Sequence, residues 1–265
     1  MKYVLVTGAN GGMGKSTVDT LASMGYGVFA LDKNLCPERE NVFPIEADVT
    51  SESSLQLAYE KVCEKTNELY AVIHFAGIYL LNSLVEISEK DFTKIFDVNV
   101  FGAYRINKIF LPLLKKGSKI IITTSELAPL APLPFTGLYA VTKSALDKYA
   151  YSLRMEVQLQ GVFVSVLRPG AIETDMLNVS TTSLDNFCQN TSLYKFNAEK
   201  FKTIVNKVET RKVPTQKIAD KAVKILKAKK PRFVYKLNRN PLLMLLSILP
   251  KRTQTNIIKK ILKTK

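Results

Sequence analysis

The chain has 265 residues, of which 46% are hydrophobic, so it is long enough to bury a large core as one α/β domain. One histidine and three cysteines without a CxxC pair exclude a multi-histidine metal site and argue against a Ser-His-Asp hydrolase. The net charge of +15 arises almost entirely from residues 221–265, which carry 14 Lys and Arg and no acid. A basic end on a nearly neutral body favours a local partner, such as an anionic membrane surface, over nucleic acid.

The N-terminal part of the chain predicts a dinucleotide site. A strand at residues 2–7 leads into a glycine turn, residues 7–14, and a helix at residues 12–24. This geometry places backbone N–H groups and a helix N-terminus against a pyrophosphate. A strand at residues 27–32 ends in Asp32, which could accept hydrogen bonds from both ribose hydroxyls and repel a 2′-phosphate. We therefore expect NAD to be preferred to NADP, although the cation of Lys33 could weaken that repulsion.

The middle of the chain continues the alternation of strands and helices. Strands are predicted at residues 42–45, 69–75 and 119–124. Helices are predicted at residues 51–67 and from the capping-box residue Ser88 to about residue 114. The fifth strand delivers Ser125 at its carboxyl end, which is the edge at which open parallel sheets bind ligands.

Tyr139 and Lys143 lie four residues apart in a helix predicted at residues 139–160, so they share one face of it. An ammonium close to a phenol favours the phenolate, and we expect Lys143 to lower the pKa of Tyr139 toward neutrality. Ser125 could hold a carbonyl or hydroxyl oxygen against that phenol. Taken alone, Tyr-x-x-x-Lys also occurs on ordinary helix surfaces, so the interpretation depends on the rest of the chain.

The remaining elements complete an α/β pattern. A strand at residues 162–167 precedes residues 175–195, which show little periodicity and are predicted to form a long loop of the kind that often serves as a lid. Helices at 197–210 and 215–229 and an edge strand at 232–236 follow. We predict a Rossmann-type doubly wound parallel sheet of about seven strands, in the order 3-2-1-4-5-6-7, with helices on both faces. This domain would occupy residues 1–236, with a helical extension at 237–265.

These motifs, in this order, resemble the short-chain dehydrogenase/reductase family in its compact single-domain form. Asn99, Ser125, Tyr139 and Lys143 match the catalytic tetrad of that family. The family is commonly dimeric or tetrameric, so a homo-oligomer is expected. The resemblance also implies that the following residues contact the cofactor: Gly8, Asn10, Gly12, Met13, Gly14, Asp32, Asp48, Val49, Ala76, Gly77, Tyr139, Lys143, Pro169, Ile172 and Thr174.

Two features depart from the family pattern. His74 and Phe75 stand where the family has two asparagines before Ala-Gly, and we interpret His74 as a structural substitute and not as a catalyst. The loop between Ser125 and Tyr139 is one residue longer than is common, which leaves Thr124 and Thr123 as alternatives to Ser125.

The resemblance implies an NAD(P)-dependent oxidoreductase that interconverts an alcohol and a ketone or aldehyde. Tyr139 would act as general acid and base, and Lys143 would lower its pKa and hold the nicotinamide ribose. Ser125 would orient the substrate oxygen, and Asn99 would hold a water in a proton relay. NAD is the expected cofactor, with NADP as the alternative. The rival from another class is a binding protein that senses NAD occupancy without turnover.

The segments expected to flank the site are mostly apolar, and no arginine is placed to clamp a carboxylate or phosphate. We therefore expect a hydrophobic substrate such as a lipid, a sterol or hydroxysteroid, or a retinoid-like molecule. The expected lining comprises residues 78–81, Leu127, Leu130, Leu133, Phe135, Met176, Leu177, Phe187 and Tyr194.

The tail combines an apolar run at residues 240–250 with an apolar and basic stretch at residues 257–263. The run is too short to span a bilayer, which takes about 20 residues. It could pack on its own domain, lie on an anionic membrane or contact another subunit. Unpaired cysteines, and an N-terminus that reads as a strand and not as a signal peptide, predict a cytoplasmic protein that could associate peripherally with membranes.

Overall fold

The computed structural model describes residues 1–209 and 211–263, with the backbone alone for residues 175–181 and 207–209. The strands are Tyr3–Thr7 (β1), Gly27–Asp32 (β2), Val42–Glu46 (β3), Leu69–His74 (β4), Leu114–Thr123 (β5), Phe163–Pro169 (β6), Ile172–Glu173 (β7), Val213–Pro214 (β8) and Val234–Leu237 (β9). Seven of them form a parallel sheet in the order β3-β2-β1-β4-β5-β6-β9. The predicted fold and strand order are confirmed, and the unpredicted pair β7 and β8 forms a separate two-stranded sheet.

Helices cover both faces of the large sheet. They are Gly12–Ser23 (α1), Glu52–Cys63 (α2), Glu89–Phe96 (α3), Gly102–Phe110 (α4), Gly137–Val157 (α5), Asp175–Asn190 (α6), Lys195–Glu209 (α7), Gln216–Lys227 (α8), Pro241–Ile248 (α9) and Lys251–Leu262 (α10). Helices α2, α4 and α5 bury apolar residues on one face, and α1 and α8 do so on the other. Among the described residues, no helix combines the length and the apolarity that crossing a bilayer requires.

The burial of β1 explains why its sequence reads as an unbroken apolar run. Val4, Leu5 and Val6 are all fully buried. Leu5 packs into the core beneath α2, α4 and α5, whereas Val4 and Val6 pack beneath α1 and α8. Successive side chains of a strand point to opposite faces, so a sheet covered on both sides requires apolar residues at every position.

The predicted loop at residues 175–195 is wrong, because residues 175–190 form helix α6. In the described part of this helix, Leu184, Phe187 and Cys188 are buried at helical spacing. These side chains pack with Ala198 and Phe201 of α7. Tertiary packing thus stabilises a helix whose Ser, Thr and Asn content suggested a loop.

An ion pair between the half-buried Arg168 and the buried Asp147 joins the end of β6 to helix α5. Arg168 donates from Nε to Oδ1 of Asp147 over 2.9 Å and from Nη2 to Oδ2 over 2.6 Å. The hydroxyl of Thr124, beside Ser125, lies 3.2 Å from the same Oδ1. This two-bond geometry fixes α5 against the carboxyl edge of the sheet.

We predict that Asp147→Ala lowers the free energy of unfolding by about 3 kcal/mol, because it leaves the guanidinium of Arg168 shielded and unpaired. The control is Asp19→Ala, whose pair with Arg39 is exposed and should contribute about 1 kcal/mol or less. Urea denaturation of both variants measures the difference. Equal losses in the two variants would contradict this role for the pair.

Candidate active site

The glycine turn after β1 is packed so closely that side chains do not fit in it. Gly8 has φ +67°, and a Cβ on it would lie 2.5 Å from the backbone nitrogen of Ala76. A Cβ on Gly14 would overlap the carbonyl oxygen of Gly8, and one on Gly12 would lie 3.0 Å from the Thr174 side chain. The turn therefore leaves its backbone open at the start of α1, as a pyrophosphate site requires.

A cavity of about 1130 Å³ lies over this turn and exceeds the range of about 300–1,000 Å³ usual for ligand pockets. It suits an elongated ligand such as a dinucleotide. Four of the predicted cofactor residues, namely Tyr139, Lys143, Pro169 and Ile172, do not line it. The predicted residues that do line it are Gly8, Asn10, Gly12, Met13, Gly14, Asp32, Asp48, Val49, Ala76, Gly77 and Thr174.

Sequence reasoning missed the α3 side of this cavity. Lys90, Thr93 and Lys94 of α3 line it, together with Asn34 and Thr50. Two lysines on a polar helix carry no distinguishing signal in sequence, because solvated helix faces commonly have them. In the fold they place two cations beside a cavity suited to phosphates.

Asp32 closes the end of β2 against the glycine turn. Its Oδ2 accepts the backbone N–H of Asn10 over 2.9 Å, and its Oδ1 accepts that of Asn34 over 3.2 Å. Each carboxylate oxygen retains further acceptor capacity. The residue lines the cavity, so it can accept hydrogen bonds from ligand hydroxyls there.

Lys33, which could weaken the selectivity of Asp32, pairs with a different carboxylate. Its exposed Nζ lies 3.9 Å from Oδ2 of Asp48. Burial acts to raise the pKa of Asp48, but hydrogen bonds from Thr50 and the charges of Lys33 and Arg105 outweigh it and the pKa is lowered. The ionised Asp48 thus attracts the Lys33 cation weakly, since the lysine is exposed and the two groups are 3.9 Å apart.

Ser125, Tyr139 and Lys143 meet at the carboxyl end of β5. Ser125 is buried and forms a hydrogen bond with the phenol of Tyr139. The Nζ of Lys143 lies 5.7 Å from the centre of the Tyr139 ring and donates to the carbonyl of Thr123 over 3.2 Å. The ring of Tyr79 packs edge-on against that of Tyr139, with the centroids 4.6 Å apart.

The geometry favours Ser125 over its two alternatives. The hydroxyl of Thr124 faces Asp147 and the carbonyl of Leu167, away from Tyr139. Within the described part of the chain, the Thr123 hydroxyl is buried without a hydrogen-bond partner. Of the three hydroxyls, the one with a hydrogen bond to the phenol is that of Ser125.

The electrostatics of the pair differ from the expectation. Burial raises the pKa of Tyr139 to about 12, and the hydrogen bond with Ser125 acts against that rise. Burial also lowers the pKa of Lys143 to about 8. The prediction that Lys143 moves the pKa of Tyr139 toward neutrality is wrong for the chain by itself, because desolvation of the phenolate raises that pKa.

Asn99 lies in a π-helical turn, Asp97–Phe101, which interrupts the single long helix predicted for residues 88–114. Its Oδ1 accepts the N–H of Ile78 over 2.8 Å. Its Nδ2 donates to the carbonyl of Ile78 over 3.0 Å and to the Thr142 hydroxyl over 3.2 Å. The side chain thus ties the loop after β4 to the helix of Tyr139 and Lys143.

His74 is buried and neutral. Its Nε2 lies 3.0 Å from Oδ1 of Asn107, and burial lowers its pKa to about 4. Asn107 donates in turn to the Tyr149 hydroxyl over 3.1 Å. His74 therefore links β4 to α4 and α5, which agrees with the structural role we predicted for it.

The expected apolar lining of the substrate site is partly a packed core. Phe135 is buried at the centre of an aromatic cluster, with ring centroids 4.7 Å from Phe187 and 5.4 Å from both Tyr194 and Phe201. The side chains of Met176 and Leu177 lie outside the described residues.

A second cavity of about 450 Å³ lies between the loop after β4 and α6, and it shares Tyr79 with the large cavity. Its lining mixes apolar with polar residues: Tyr79, Leu80, Leu81, Asn82, Glu86, Thr182, Ser183, Asn186, Phe187, Asn190 and Thr191. Glu86 accepts hydrogen bonds from Thr191, Ser192 and Leu193, which lower its pKa to about 2. This carboxylate ties the C-terminal end of α6 to the loop after β4.

We predict that Lys143→Met raises the free energy of unfolding at about pH 7 by up to about 3 kcal/mol. This is the free energy that corresponds to the fall of the Lys143 pKa from 10.5 in the unfolded chain to about 8 in the folded one, and the variant does not incur it. A lowered pKa means that the folded state binds fewer protons than the unfolded state between pH 8 and 10.5, so wild-type stability rises over that range. The advantage of the variant should shrink there. Urea denaturation across this range tests it, with the exposed Lys148→Met as control. A pH-independent difference would contradict the burial of an ionisable lysine.

Comparison with known proteins identifies the family. The sequence matches the model described as short chain dehydrogenase over residues 2–185. It is 35% identical over 191 residues to estradiol 17-beta-dehydrogenase 2 of Mus musculus, a match that covers 66% of this chain and 49% of the mouse protein. The chain thus spans about half the length of that relative. The probable short-chain type dehydrogenase/reductase VdlC of Helicobacter pylori is 27% identical over 253 residues, which cover 93% of this chain and 92% of that protein.

The fold agrees with solved structures. A short chain dehydrogenase/reductase from Burkholderia phymatum in complex with NAD gives a TM-score of 0.76 at 18% identity, covering 97% of this chain and 94% of that one. The family match and the shared fold lead to one conclusion: the chain belongs to the short-chain dehydrogenase family.

Proposed function

We propose that the protein is an NAD(P)-dependent oxidoreductase that interconverts an alcohol and a ketone or aldehyde. The observation that carries the proposal is the meeting of Ser125, Tyr139 and Lys143 at the carboxyl edge of the sheet, near a cavity that fits a dinucleotide. Parallel α/β sheets bind ligands at this edge.

In this mechanism the bound cofactor supplies or accepts the hydride. The Ser125 hydroxyl holds the substrate oxygen, and Tyr139 gives a proton to that oxygen in reduction or takes one from it in oxidation. With a pKa of about 12, the phenol stays protonated at neutral pH, which is the form that donates to a ketone oxygen. Lys143, with a pKa of about 8, remains largely cationic at neutral pH and favours the phenolate formed after that transfer.

Asn99 acts in this scheme by position. Both amide donors are already engaged by Ile78 and Thr142, so the side chain holds the loop after β4 against α5. A relay water at this point would have to use the remaining acceptor capacity of Oδ1 or of the backbone.

The proposed cofactor is NAD. Asp32 lines the cavity with a carboxylate that would repel a 2′-phosphate, and the nearest carboxylate to the exposed Lys33 is that of Asp48, at 3.9 Å. Pro169 and Ile172 are proposed to support the nicotinamide end through the segment that leads to Thr174.

The proposed substrate has an apolar body and a polar end. The second cavity places Tyr79, Leu81 and Phe187 beside several amide and hydroxyl side chains. A sterol, hydroxysteroid, retinoid-like or lipid alcohol combines these two characters, and a relative at 35% identity bears the name estradiol 17-beta-dehydrogenase 2. Three other expectations remain predictions. They are a homo-oligomer, a cytoplasmic location with peripheral membrane contact, and the division of the chain into residues 1–236 and 237–265.

The rival candidate is a protein that binds NAD and controls a partner without turnover. It requires the cavity but not the contact between Ser125 and Tyr139. Tight NAD binding without turnover on any hydrophobic alcohol or ketone would favour it.

We predict that Tyr139→Phe reduces turnover by about 1,000-fold or more with little effect on NAD affinity, because it removes the proton donor and acceptor. The measurement is NADH oxidation on a panel of hydrophobic ketones, with NAD binding followed by calorimetry. Tyr151→Phe, an exposed position on the same helix, is the control and should keep full activity. Full activity in Tyr139→Phe would contradict the proposed role.

We predict that Asp32→Asn raises the ratio of NADP affinity to NAD affinity by about tenfold or more, because it removes a negative charge beside the 2′ position. The ratio cancels any common loss caused by altered contacts to Asn10 and Asn34. Calorimetry with both cofactors measures it, and the exposed Asp19→Asn is the control. A wild-type protein that already prefers NADP would contradict the cofactor proposal.

A further inference from the structure

Helix α9 exposes an apolar stripe. Leu242, Leu245 and Ile248 are 65%, 63% and 78% exposed, although they belong to a helix with the sequence Pro-Leu-Leu-Met-Leu-Leu-Ser-Ile. Their spacing of three residues places them along one side of the helix. Single exposed apolar residues are ordinary, but three large aliphatic side chains in a row on one short helix form a patch that requires a partner.

The surroundings of this stripe are basic. Residues 237–265 contain seven Lys and Arg and no acid. Lys251 and Arg252 follow α9 directly and are exposed, as are Lys259 and Lys260 on α10. An apolar stripe on a tail whose charged side chains are all cationic matches the chemistry of an anionic lipid surface. The carboxylate of Glu126, which accepts a hydrogen bond from Asn240, belongs to the body and not to the tail.

The tail that carries this stripe is anchored to the body by hydrogen bonds at both of its ends. Before α9, the backbone N–H of Asn240 donates to Oε2 of Glu126 over 2.6 Å, and Glu126 directly follows Ser125. The side chain of Asn238 donates to the carbonyl of Ala171 over 2.7 Å. After α10, Asn197 of α7 donates to the carbonyl of Leu262 over 2.7 Å. The tail is therefore fixed to the body, and its root lies beside the proposed substrate end of the site.

Packing on the body accounts for α10, whereas α9 is only partly covered: Leu243, Met244 and Leu246 are half-buried. Ile258 and Leu262 of α10 pack into the aromatic cluster with Phe201 of α7. The three side chains of the stripe stay exposed despite the anchors on either side. Docking of a second copy through the same surface would bring two acid-free basic tails together, and like charges oppose that contact.

We propose that α9 and the cations around it dock on an anionic lipid bilayer, with Leu242, Leu245 and Ile248 inserted among the lipids. The anchor between Glu126 and Asn240 then holds the catalytic edge of the sheet close to the bilayer. Docking itself does not require turnover, so its test is independent of the proposed activity.

The chain contains no tryptophan, so one introduced residue gives an unambiguous fluorescent reporter. Leu245→Trp should shift its emission to the blue when vesicles of phosphatidylcholine with roughly one third phosphatidylserine are added, because the indole leaves water. The control is Leu159→Trp, at an 86% exposed position after α5, whose emission should not change. Absence of a shift at position 245, or an equal shift at both positions, would overturn the proposal.

Sedimentation of the full chain with the same vesicles tests the charge component. Lys251→Gln combined with Arg252→Gln should weaken binding about tenfold or more, and vesicles of phosphatidylcholine alone should bind weakly. The matched control is Lys115→Gln combined with Lys116→Gln, an exposed adjacent pair elsewhere, which should bind like the wild type. Equal binding to vesicles with and without phosphatidylserine would overturn the proposal that anionic lipid is recognised. A blue shift that appears without vesicles and grows with protein concentration would show that the stripe mediates self-association. That result would also overturn the proposal.

Discussion

The site depends on how closely β1 and β4 approach each other at their carboxyl ends. Gly8 lies against the backbone of Ala76, so closely that no side chain fits between them. One residue further on, Gly77 lies against the Asn99 amide and the Lys143 ammonium, at 3.2 and 3.5 Å from the position of a Cβ. A continuous stack therefore runs from the cofactor turn to the catalytic helix. Displacement of any member would separate the cavity from the proton-transfer groups.

Burial governs the chemistry of that stack. The same desolvation acts in opposite directions on its two ionisable groups, raising the pKa of Tyr139 and lowering that of Lys143. The chain by itself thus keeps the phenol protonated. An oxidised nicotinamide bound beside the site would add positive charge there and would favour the phenolate of Tyr139.

The sequence allowed the sheet to be predicted because doubly covered parallel strands require apolar residues at every position, as in Val4, Leu5 and Val6. The positions of Gly8, Asp32 and Ser125 were predicted from the ends of strands β1, β2 and β5. That of Tyr139 was predicted from the start of a helix, which in the structure begins two residues earlier, at Gly137. Helix α6 was not predicted, because its Ser, Thr and Asn content suggested a loop, although Leu184, Phe187 and Cys188 of its described side chains are buried at helical spacing. The pKa of Tyr139 could not be predicted either, because the spacing of residues indicates a nearby lysine but not how deeply the phenol is buried.

The tail illustrates the same limit. Its composition left three alternatives, namely packing on its own domain, contact with a membrane and contact with another subunit. The fold distinguishes α10, which packs on α7, from α9, whose Leu242, Leu245 and Ile248 stay exposed. Contacts between distant residues, such as that of Asn240 with Glu126, fix where the exposed helix lies relative to the site. Charge composition alone contains no such information.

Tyr139 is proposed to serve as the acid and base of a site completed by NAD. The most direct measurement is a pH titration by NMR of the protein labelled with ¹³C at the tyrosine ring carbon that bears the hydroxyl, with the Tyr139 signal assigned through Tyr139→Phe. We predict a pKa of about 12 in the free protein and a fall on binding NAD⁺ but not NADH, whose nicotinamide is uncharged. Titration near neutrality without cofactor, or a pKa unaffected by NAD⁺, would contradict this claim.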